Sequence, residues 1–62
     1  MNKFDLIKKE IRRELNDLAD ALATGAAPDY PAYRHMVGKI EGLAYAERIV
    51  IDLEERILKQ ND

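Results

Sequence analysis

The chain has 62 residues, with 10 basic and 12 acidic side chains for a net charge of −2, and no cysteine. Disulfides, thiolate metal sites and thiol nucleophiles are thereby excluded, and the slight negative charge argues against a chain that coats nucleic acid by bulk electrostatics. A chain of this length buries only about 60% of its unfolded surface, so oligomerisation is the route left to a secure fold.

A hydrophobic content of 47% alongside 35% charged residues fits a folded helical protein rather than a disordered one. No apolar run approaches the length of a membrane span, and the N-terminal residues show no apolar segment of the signal-peptide kind. The expectation is a cytoplasmic protein.

The first predicted element is a helix over about residues 3–24. Its apolar positions are Phe4, Ile7, Ile11, Leu15, Leu18 and Leu22. Their mean spacing is about 3.6 residues, the period of a straight amphipathic helix rather than of a long supercoil. Asn2 is the N-cap candidate, with Asp5 complementing the helix N-terminus. Gly25 is placed to end the helix in a left-handed cap.

The stretch "GAAPDYP" follows, with a turn predicted over 25–30. Pro31 suits the first turn of a second helix, over about 31–59, with Asp29 or Tyr30 as its N-cap. Two long helices joined by a short loop make an antiparallel αα-hairpin. The predicted class is therefore all-α, a two-helix hairpin that assembles into a helical bundle, in a single domain. Pivoting near Ala27 and Pro28 pairs residues whose numbers sum to about 55, which sets Glu47 opposite Lys8. The second helix is the longer and overhangs by roughly 10 Å, from about Glu54 onward. Ile57 and Leu58 lie in that overhang.

The second helix carries two apolar surfaces when projected at the helical period. A wide face holds Tyr33, Met36, Val37, Ile40, Leu43, Ala44, Val50, Ile51, Ile57 and Leu58, enough to cover the first helix. A narrow polar stripe includes Arg34, Glu41, Arg48, Asp52, Glu55 and Lys59, with Arg48–Asp52 and Glu55–Lys59 at the i,i+4 spacing of a solvated face. The remaining flank is Gly38, Gly42, Tyr45, Ala46, Ile49 and Leu53. A hairpin partner covers one face and leaves this one open, and an open apolar patch marks a contact surface. Gly38 and Gly42 each cost roughly 1 kcal/mol of helix propensity relative to alanine. Close backbone approach at the flank is the expected reason for them, with a bend in the helix or sequence drift as the alternative. The flank, with Ile57 and Leu58 contributing, is the expected oligomer or partner interface.

Glu47 and Glu54 project into the wide apolar face, where a carboxylate is costly unless paired. An ion pair of Glu47 with Lys8 is expected, and a register-setting contact in an oligomer is the sharper alternative. Neither a nucleophile nor a phosphate loop accompanies these acids, so acid–base catalysis is not indicated. The lone His35 cannot build a metal cluster. Tyr30, Tyr33 and Tyr45 sit at helical spacing, which suits core or interface positions. No cofactor, metal, membrane or small-molecule substrate is expected.

The basic residues Lys3, Lys8, Lys9, Arg12 and Arg13 concentrate in the first helix and are the candidate contacts to a phosphate backbone or an acidic protein surface. Glu10 and Glu14 interrupt them, as on an ordinary mixed surface.

The segments "IRRELNDLADALATG" and "MVGKIEGLAYAERIVIDLEERI" resemble a group of very small phage-encoded helical proteins found among virion structural and assembly genes. The resemblance spans nearly the whole chain and is most specific at "GKIEGLAYAER". It implies a role in or around the virion and brings no catalytic residues with it. In size and plan the hairpin is also similar to the plasmid copy-number regulator that dimerises into a four-helix bundle and binds RNA, an analogy of architecture alone.

Three functions follow as expectations. The first is a non-enzymatic assembly protein that self-associates or docks on a phage structural protein through helix 2. The second is a dimeric RNA- or DNA-binding regulator that uses the basic N-terminal helix. The third is a small inhibitor of a host protein.

Overall fold

The computed structural model describes residues 2–60. It contains two helices, α1 over Lys3–Ala23 and α2 over Tyr30–Gln60, and no strand among the described residues. The chain is an all-α antiparallel hairpin. Each helix boundary falls within a residue of its expected place.

Local chemistry sets these boundaries. The Asn2 side chain accepts the backbone N–H of Asp5 at 2.8 Å, satisfying a donor that the first turn leaves without a helical partner. At the other end of α1, Gly25 takes φ of +77°, and its N–H bonds the Leu22 carbonyl at 3.1 Å. The next N–H, of Ala26, reaches back to the Ala21 carbonyl at 2.9 Å. This crossed pair is a Schellman cap, which needs a left-handed residue where Gly25 stands. The Thr24 hydroxyl adds bonds to the carbonyls of Asp20 and Ala21 at 3.0 and 3.1 Å.

Asp29 opens α2. Its carboxylate accepts the Ala32 N–H at 2.8 Å, and its carbonyl takes the Tyr33 N–H at 3.0 Å. Pro31 lies inside the first turn, where its missing N–H costs nothing. The cap left open between Asp29 and Tyr30 is thus Asp29.

The two helices lie side by side in a slab of 51 × 19 × 11 Å with a radius of gyration of 14.8 Å. A compact chain of this length has a radius of about 10.6 Å. The slab is one helix thick, so it has a seam between its helices and no interior. Leu15 of α1, 8% exposed, is the one described residue that counts as buried. Phe4, Ile11, Leu18 and Leu22 beside it, and Met36, Ile40, Leu43 and Val50 across from it, are half-buried.

The seam is narrower than the apolar face of α2 suggests. Tyr33 and Ala44, expected under α1, are exposed. One helix covers only the arc of its neighbour that faces it, and these two lie at the rim of that arc.

Candidate assembly surface

α2 runs for 31 residues and α1 for 21, so α2 presents most of the surface with nothing against it. Its outer flank bears Tyr45, Ile49 and Leu53, exposed by 63%, 52% and 42%. Gly38 and Gly42 lie in the same strip and are also exposed. Ala46, expected with them, is half-buried at the edge of the seam. Ile57 is likewise half-buried, whereas Leu58 is exposed.

The glycines have no role inside the hairpin. A Cβ built on Gly38 or on Gly42 meets nothing within 4 Å, and neither residue has positive φ. Alanine fits both positions in the isolated chain and forms helix more readily.

Sequence reasoning missed α1's share of this surface. Ile7 is an exposed large hydrophobic residue, although it keeps the period of the seam, whereas Leu6, also exposed, projects to the far side of α1. The helical projection puts Ile7 at the edge of the seam arc, on the side where Leu53 and Ile57 lie on α2. The offset of Ile7 from the mean direction of Phe4, Ile11, Leu15 and Leu22 was the available signal.

The opposite edge of the seam is polar. Lys8 Nζ bonds Glu54 Oε1 at 2.7 Å and lies 3.5 Å from Asp5 Oδ1. Arg12 Nη2 donates to both carboxylate oxygens of Glu47, at 2.6 and 2.8 Å. The expected pairing of Glu47 with Lys8 is therefore corrected. Side chains lean toward the N-terminus of their own helix, and in an antiparallel pair both leans push meeting residues to higher numbers than a backbone pairing rule assigns. Glu47 meets Arg12, one turn beyond Lys8, and Lys8 meets Glu54 instead.

The same contact corrects the overhang. Lys8 reaches Glu54, and Ile57 is half-buried, so the stretch of α2 beyond α1 starts later than Glu54. Glu47 is also less buried than expected. Its side chain keeps 18% of its exposure, and that of Arg12 keeps 58%.

The bond to Glu54 raises the Lys8 pKa above the ordinary lysine value. Desolvation opposes it, and the charges of Glu54 and Asp5 reinforce it.

Two of the five candidate nucleic-acid contacts, Lys8 and Arg12, are thus engaged inside the hairpin. Lys3, Lys9 and Arg13 are exposed and form no ion pair among the described residues. Lys9, Arg12 and Arg13 border a shallow hollow on α1, which Glu10 and Asp17 share. Those acids repel a phosphate approaching it.

Arg48 and Asp52 close at 3.5 Å on the solvated stripe. His35 is exposed. No group of His, Cys, Asp or Glu among the described residues is placed to hold a metal, and no helix there is long and apolar enough to cross a membrane. Tyr30 and Tyr33 meet at 6.1 Å between ring centroids near the loop, and both are exposed.

No family model, curated protein or solved structure matches the chain. Its function has to be read from the surface itself.

Proposed function

We propose that this chain is a non-enzymatic assembly protein of phage type, which self-associates or joins a larger virion assembly by burying the flank of α2. One observation carries the reading. Among the described residues the hairpin buries only Leu15, while Tyr45, Ile49 and Leu53 stand together in water. Burying large apolar side chains is the main favourable term in both folding and association. A chain that leaves them open on one strip has its stabilising contacts still to make.

The resemblance carried by "GKIEGLAYAER" supplies the virion context, and the two glycines with open space around them supply the close approach. The nucleic-acid reading has less support, because Lys8 and Arg12 already serve the seam.

Fractionating the producing cells on a density gradient tests this reading. The chain is expected in the fractions that hold particles or assembly intermediates, and substitution of Ile49 by Lys should release it to the light fractions. Wild-type chain confined to the light fractions contradicts the virion role and leaves self-association alone.

A further inference from the structure

The open flank of α2 fits one particular occupant. We infer that it is a second copy of this chain, packed antiparallel and crossed on α2 about a two-fold axis beside Tyr45. The inference rests on the assembly reading and gives it a partner and a register.

Area is the first argument. The chain exposes 4895 Å², whereas a compact monomer of 7.1 kDa exposes about 4,100 Å². The excess, roughly 800 Å², equals one partner's share of a standard protein–protein interface. A slab one helix thick gains its missing second layer when another slab stacks on it. This layer is needed whenever the chain is folded. A second copy is the partner always present at the chain's own concentration.

Shape is the second argument. Gly38 and Gly42 are four residues apart, and so are Ile49 and Leu53. Because the two spacings are equal, one two-fold axis serves both pairs. It sets Ile49 over the partner copy's Gly42 and Leu53 over its Gly38, large side chain into bare backbone on each side. Both open glycines and both exposed aliphatic residues are then used, as an isologous interface requires. A foreign protein needs no such symmetry in the strip. The rows in contact run at i,i+4 on each helix, a packing that crosses the two axes at about −50°. Tyr45 then lies beside its own copy near the axis, and the two copies of Leu53 lie roughly 24 Å apart.

Cysteine cross-linking tests this, because the chain has no cysteine of its own. Tyr45→Cys, Leu53→Cys and Arg48→Cys are each purified as the full chain, oxidised mildly and run without reductant, alongside sedimentation equilibrium of the wild type. A disulfide needs Cα atoms within about 7 Å. The expected result is a wild-type mass of twice 7.1 kDa, with efficient cross-linking of Tyr45→Cys alone. A dimer that cross-links through Leu53→Cys is parallel and overturns the register. Cross-linking through Arg48→Cys places the contact on the polar stripe and overturns the face. A helical monomer of 7.1 kDa at tens of micromolar overturns the second copy. That last result leaves the flank to a foreign protein, so the assembly reading survives it.

Discussion

Arg12 of α1 grips both carboxylate oxygens of Glu47 on α2 through a single nitrogen, at 2.6 and 2.8 Å. The acid is mostly covered and the guanidinium mostly in water, so losing either partner has unequal consequences. Arg12→Ala leaves a half-buried carboxylate without its cation and should lower stability by about 1 kcal/mol. The double variant Arg12→Met, Glu47→Leu replaces the pair by apolar contact and should be at least as stable as the wild type. Urea unfolding at one fixed protein concentration checks both. A double variant less stable than Arg12→Ala would show that the pair itself, rather than its desolvation, dominates.

The bond between Lys8 and Glu54 makes the hairpin sensitive to alkali. Lys8 has a folded pKa above the ordinary 10.5, so its contribution is complete below that value and is lost as pH rises through the folded one. Wild type and Lys8→Met should therefore differ in stability at neutral pH and converge as pH rises through the raised folded value. Melts of the two proteins across that range check it; a difference that stays constant would place the effect of Lys8 in packing.

The caps give local predictions. Asp29→Ala removes the acceptor for the Ala32 N–H and should cost about 1 kcal/mol. Gly25→Ala puts a Cβ on a residue with φ of +77° and should cost about as much. Circular dichroism melts check both, and either variant at wild-type stability would show that the turn relaxes around the change.

Most of the fold was legible because its signals are local. The spacing of Phe4, Ile11, Leu15 and Leu22, the side chains of Asn2 and Asp29, and Gly25 act within a turn of where they stand. Pairing between the helices was less legible. The lean of the side chains moves each contact by a turn or more, so Glu47 found Arg12 rather than Lys8. The flank was legible as a pattern on α2, yet the share of α1, through Ile7, depends on how the two helices are rotated against each other. Within α1 only the offset of Ile7 from the other seam residues records that rotation.

Gly42 separates helix formation from assembly. In the isolated hairpin a larger residue meets open space and gains about 1 kcal/mol of helix propensity. Gly42→Leu should therefore be at least as helical as the wild type in dilute solution while associating more weakly. Circular dichroism with light scattering on the same samples checks it; unchanged association would remove the close approach at this residue.

The central claim is that a second copy of the chain completes the fold by covering the flank of α2. Thermal unfolding as a function of protein concentration tests it most directly, since association linked to folding makes Tm depend on concentration. From about 1 to 100 µM the wild type should show a steadily rising Tm, and Leu53→Lys should flatten that rise. A cooperative wild-type transition with the same Tm at every concentration would contradict the account.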